Sequence, residues 1–142
     1  MSQSGCVFCR IAAGEVQAAV VYEDDDIIVF LDSSPLFEGH SLVCPKAHVE
    51  TMLDLEESMM QPLFGVAKRV AKALETGLGA AGSLVCVNNR VSQSVPHLHV
   101  HVIPRRPKDG LKGFFWPRRP YNSRGEMEAV AGKVRDALAS ES

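Results

Sequence analysis

No apolar run in these 142 residues reaches the roughly 18–20 residues needed to span a bilayer, so no membrane partner is expected. The first residues, Met1-Ser2-Gln3-Ser4-Gly5, carry neither the basic segment nor the apolar stretch of a secretory signal, which predicts a cytoplasmic protein. There is no internal repeat and no low-complexity linker, so the chain reads as one domain over 1–142. No glycine-rich loop follows a strand-like segment, which argues against a βαβ dinucleotide fold. Net charge is also nearly absent: at −2 it gives no reason to expect a polyanionic partner. Charge is uneven, however. From Arg105 to Arg124 there are seven Lys/Arg and one Asp, leaving the remainder acidic. The four cysteines, in a reducing compartment, suit thiols or metal ligands better than disulfides.

Hydropathy and turn signals place the elements. Cys6 to Ala13 reads as a short helical or turn segment ended by Gly14. Ala19–Tyr22 and Ile27–Leu31 are β-rich runs joined by the acidic turn Glu23-Asp24-Asp25-Asp26. Ser41–Cys44 is a third strand, closed by Pro45. From Asp54 to about Gly77, apolar residues at Leu55, Met59, Leu63, Val66, Val70 and Leu74 keep the spacing of a one-faced helix. Pro62 either kinks this helix or marks the first turn of its main part. Ser83–Asn88 and His97–Ile103 read as two more strands, and Glu126–Leu138 as a C-terminal helix. That order predicts an α+β domain on an antiparallel sheet.

One run carries chemistry. On a strand, His97, His99 and His101 share one face, roughly 7 Å apart at two strand rises, while Leu98, Val100 and Val102 pack the other. Three imidazoles in a row fit either a metal centre or nucleophilic attack on phosphorus, and spacing does not choose between them. Immediately upstream, Gln93-Ser94-Val95-Pro96 forms a small polar turn whose N–H and hydroxyl groups suit a phosphate or a leaving group.

The stretch Gln93 to Ile103 resembles the signature of the histidine triad family, His-φ-His-φ-His-φ-φ with φ apolar. Tyr22-Glu23-Asp24 through Phe30-Leu31-Asp32, and Gly39 through Lys46, are similar to that family's early strands, so the likeness runs from about Cys6 to Arg105. The rest, 106–142, is a basic and aromatic extension with the C-terminal helix. The resemblance implies a five-stranded antiparallel sheet with one long and one short N-terminal helix, pairing in a homodimer into ten strands. It implies purine nucleotide binding and cleavage at the α-phosphorus, by hydrolysis or transfer, through a nucleotidyl-histidine. Substrates would be nucleoside phosphoramidates or nucleotide conjugates. A dinucleoside polyphosphate hydrolase and a nucleotide-binding scaffold with weak turnover are the alternatives. By motif position His99 is the nucleophile, the His97 carbonyl fixes its tautomer, His101 meets the phosphate or bridging atom, and Ser94 meets the leaving group. Asp32 would bind the ribose hydroxyls with Ser33 beside it, and Ile28 with Phe30 would line a base pocket. Asn88, Ser92 and Gln93 match phosphate-loop positions. Here the loop is short, Asn89 competes with Asn88 for the contact, and Ser92 stands where glycine is usual.

Cys6-Val7-Phe8-Cys9 is a Cys-x-x-Cys knuckle able to give two thiolates to one zinc, with His48 and His97 as candidates for the other two positions. Some triad proteins resemble this arrangement, which implies a structural zinc; free thiols and a redox pair are the other readings. His40 is placed to buttress the site or simply to pack. In the basic segment, the aromatics Phe114-Phe115-Trp116 and Tyr121 flank Arg118-Arg119. This reads as a solvated loop anchored by Trp116 or as a lid over substrate, ahead of a nucleic-acid surface.

Overall fold

The computed structural model describes residues 5–112 and 117–141. Its described residues fall into two compact units, Met1–Asp109 and Gly110–Ser142. The first holds α1 (Val7–Ala12), β1 (Val20–Glu23), β2 (Ile27–Leu31), β3 (Ser41–Pro45), α2 (Glu57–Leu78), β4 (Gly82–Cys86) and β5 (Val100–Arg105). The second contains α3 (Arg124–Ala139), whose first turn is capped by Ser123 Oγ accepting from the Glu126 amide. The aromatic run Phe114-Phe115-Trp116 lies outside the described residues.

All five strands form one antiparallel sheet in the order β1-β2-β3-β5-β4. Both expected hairpin pairings are present, and β5 is inserted between β3 and β4. Strand β2 is buried along Ile27–Phe30 because both faces of the sheet are covered. Ile27, Val29, Val43, Leu98, Val100 and Val102 turn toward α2, meeting Leu63, Val66, Ala67, Val70 and Leu74. Ile28, Phe30, Leu42 and Cys44 turn the other way and meet Cys6, Phe8 and Cys9 of the α1 segment.

Three boundaries differ from the sequence reading for local reasons. Helix α2 starts at Glu57 rather than Asp54, which belongs to a separate 3-10 turn over Met52–Asp54, and Pro62 falls within its first two turns. The helix stops at Gly79 rather than Gly77. Gly79 takes the left-handed conformation (φ +71°) and its amide bonds the Glu75 carbonyl, the C-terminal cap a side chain would resist. The last strand begins at Val100, not His97. His97 and Leu98 instead send their amides to the carbonyls of Val95 and Val49. Pro45 and Pro104, read as stops, are the final and penultimate residues of their strands.

Candidate active site and metal centre

A cavity of about 600 Å³ opens on the α1 side of the sheet, lined among others by Phe8, Ile11, Phe30, Asp32, Ser33, Ser94, His99 and His101. Its volume lies in the range of small-ligand sites. A groove of about 680 Å³ on the α2 side is mainly aliphatic and holds no histidine, so it lacks the chemistry of the first.

The imidazoles are held in defined tautomers. His99 Nδ1 lies 2.7 Å from the His97 carbonyl oxygen, to which it donates. In the neutral ring the lone pair is then on Nε2. The amide of Leu36 donates to His40 Nδ1 at 3.1 Å, so His40 carries its proton on Nε2. That Nε2 donates to His101 Nδ1 at 3.0 Å, which leaves the His101 proton on Nε2. His101 Nε2 is buried with no hydrogen-bond acceptor among the described residues. Burial holds the His101 pKa down at about 4, with His99 and His40 adding repulsion, and burial likewise lowers His40. Both rings are therefore neutral near pH 7. The His99 and His101 ring centroids are 4.9 Å apart, closer than two strand rises because the rings lean together.

Asp32, His40 and His101 lie close enough to suggest a metal set. The tautomers argue against it, because His40 Nε2 bears a proton where a ligand needs a lone pair. Asp32 has one carboxylate oxygen on the Ser34 amide at 2.9 Å and the other 3.7 Å from His40 Nε2. It serves both the turn expected at Asp32-Ser33-Ser34-Pro35 and the rim of the cavity.

The second cluster has different chemistry. Cys6, Cys9, His48 and His97 bring four donor atoms within 4.8 Å of one another. Cys6 Sγ is 3.4 Å and Cys9 Sγ 3.5 Å from His97 Nδ1, and Cys9 Sγ is 3.3 Å from His48 Nδ1. A tetrahedral ion with bonds of about 2.0 Å to nitrogen and 2.3 Å to sulfur sets such donors about 3.5 Å apart. His97 Nε2 donates to the Pro45 carbonyl at 2.8 Å, freeing Nδ1 to face the sulfurs. The donor set fits a closed metal site. Cys44 is fully buried, and burial pushes its thiol pKa up.

Not every expected residue lines the cavity. Ile28 is buried beneath it in the sheet-to-α1 core, with Phe30 rather than Ile28 reaching the wall. Gln93 braces its own loop: its Oε1 accepts from the Arg90 amide and its Nε2 donates to the Glu50 carbonyl. Asn89 is occupied by the Met52 amide at 2.9 Å, whereas no partner is found for the Asn88 side chain among the described residues. Ser92 adopts φ +62° and Arg90 φ +72°, the left-handed backbone that glycine favours, so the loop keeps that geometry without glycine. Phe8 was not singled out as a site residue. It sits inside the cysteine knuckle, and the only signal for it was an aromatic between two metal-type cysteines.

A HIT domain matches residues 13–108. The Bacillus subtilis protein named hit is 33% identical over 138 residues, covering 95% of each chain. An adenylylsulfatase of Arabidopsis thaliana is 35% identical over 111 residues, 77% of this chain and 56% of that protein. The crystal structure of a zinc-bound histidine triad family protein from Mycobacterium smegmatis superposes with a TM-score of 0.73 at 33% identity, covering 94% of this chain and 97% of that one. With the triad sequence, the five-stranded sheet and these likenesses in agreement, the chain belongs to the histidine triad family.

Proposed function

We propose that the protein is a purine nucleotide hydrolase or transferase that acts at the α-phosphorus of nucleoside phosphoramidates or related nucleotide conjugates, with His99 as nucleophile. The observation that carries this reading is the 2.7 Å bond from His99 Nδ1 to the His97 carbonyl, which leaves an Nε2 lone pair on a ring lining the cavity. His99 Nε2 attacks phosphorus, the bond to the leaving nitrogen breaks, and that nitrogen takes a proton from solvent and departs as the amine, with Ser94 as its hydrogen-bond partner. Water then attacks the nucleotidyl-histidine, the P–Nε2 bond breaks, one proton passes to solvent, and His99 is restored. His101 Nε2–H, a buried donor lacking an acceptor among the described residues, supplies a charge-stabilising hydrogen bond to a phosphoryl oxygen. His40 holds it in that tautomer. Asp32 and Ser33 at the rim receive the ribose and Phe8, Ile11 and Phe30 the base, while Asn88, which is not part of the cavity wall, is assigned to the phosphate loop by its motif position alone.

Cys6, Cys9, His48 and His97 would hold zinc. Bound there, it would supply a cross-link between the N-terminal segment and the residues preceding β5.

Adenosine 5′-phosphoramidate tests the reading, with adenylyl sulfate as a second substrate because one relative is an adenylylsulfatase. Wild-type protein is expected to release AMP, and His99→Ala to lose at least about 10³-fold in kcat. A variant retaining turnover would remove His99 from the nucleophile's role. Binding of AMP without turnover of either compound would favour a nucleotide-binding scaffold.

A further inference from the structure

We propose that Phe8 is a positioning residue for His99, and that the Cys6/Cys9/His48/His97 cluster bears on the reaction by holding Phe8 and the His97 carbonyl in place. The proposal rests on His99 being the nucleophile.

Helix α1 has only six residues, too few to hold itself by its own hydrogen bonds. Its place is set by what its side chains touch, and Phe8 and Cys9 are its buried residues. Phe8 stands between the two cysteines of the knuckle, where Cys6 Sγ already accepts from the Cys9 amide at 3.4 Å. From there its ring meets His99 at 5.1 Å between centroids and 87° between planes, an edge-to-face contact. The same ring packs edge-on against Phe30 at 5.1 Å and His97 at 5.9 Å.

The Nδ1 bond fixes one atom of the His99 ring, and the His101 ring packs on it at 4.9 Å between centroids and 64° between planes. Phe8 adds a contact from a ring nearly perpendicular to the imidazole, which narrows the remaining tilt and so the aim of the Nε2 lone pair. Two of these three restraints trace to the cluster. One is the backbone of the ligand-type residue His97, and the other is the residue bracketed by Cys6 and Cys9. In-line attack tolerates little error in aim, so loosening either restraint lowers turnover more than affinity.

Phe8→Leu keeps apolar bulk and all four donor residues while removing the ring edge. Metal content and imidazole ¹⁵N–¹H correlation spectra are recorded at one pH for the wild type, Phe8→Leu, Phe8→Tyr and the chelated wild type. Kinetics with adenosine 5′-phosphoramidate accompany them. Expected for Phe8→Leu is retained metal, tautomer-averaged or broadened His99 signals, and kcat down by about 10-fold with a smaller change in KM. Phe8→Tyr, which keeps the ring edge, restores both signals and kcat. Chelated protein that stays folded shows the same His99 change; if it unfolds, Phe8→Leu decides. His99 signals in Phe8→Leu identical to wild type, or a raised KM with kcat intact, would overturn the proposal and leave Phe8 only its place in the wall of the base pocket. If His99→Ala retained turnover, the proposed nucleophile would fail while the spectra still reported whether Phe8 orients the ring.

Discussion

At the scale of single residues, the triad is three histidines with three different surroundings, and each surrounding is set by what its second nitrogen touches. His97 turns Nδ1 to sulfur, His99 gives Nδ1–H to a carbonyl, and His101 accepts a hydrogen bond at Nδ1 from His40 Nε2–H. One measurable consequence concerns pH. His101 has a folded pKa of about 4 against an ordinary 6.5, from burial first and from His99 and His40 next, with Asp32 opposing. The unfolded chain therefore binds more protons between those values. The stabilisation is fully present above about 6.5 and is lost as pH falls through about 4. Urea midpoints are expected to drop between pH 7 and pH 5 in the wild type and to drop less in His101→Asn; equal slopes would contradict this. The motif itself was legible because it is written contiguously. The His40–His101 contact spans 61 positions, so no local pattern could display it.

Among the elements, the early strands and both long helices were legible because periodicity and turn residues act locally. The start of β5 was not. Alternation continues through His97 and Leu98, but their amides are claimed by Val95 and Val49 instead of a neighbouring strand, a tertiary choice. The loop before β3 offers a sharper test. Gly39 has φ +102°, and a Cβ there would lie 2.5 Å from Leu78 Cδ1 and 3.2 Å from Leu74 Cδ2. Gly39→Ala is expected to cost about 1–3 kcal/mol in denaturant unfolding from strain and overpacking. Because His40 follows directly, the same variant should lose turnover beyond its loss of stability. For α1 the expectation concerns metal: the purified protein should carry about one zinc per chain by elemental analysis, given the one four-donor set among the described residues. Chelation should lower Tm, and Cys9→Ser should lower both metal content and Tm.

For the whole molecule, strand β4 ends the sheet, with Val85 44% exposed on an edge that is open among the described residues. An open edge bearing an apolar side chain invites pairing with another chain. Joining two β4 edges would give the ten-stranded sheet that the family resemblance implies. Light scattering is expected to report a dimer for the wild type and a shift toward monomer for Val85→Lys; a monomeric wild type would contradict the expectation. No helix among the described residues is long and apolar enough to cross a membrane.

The relay that sets the His101 proton starts not from a side chain but from the amide of Leu36. Almost every substitution at position 36 preserves that donor, and only proline deletes it. The protonation pattern at the His101 end of the cavity is thus anchored to a peptide bond, a part of the chain that nearly all mutations leave untouched. Leu36 itself can drift in sequence while the instruction it delivers stays constant.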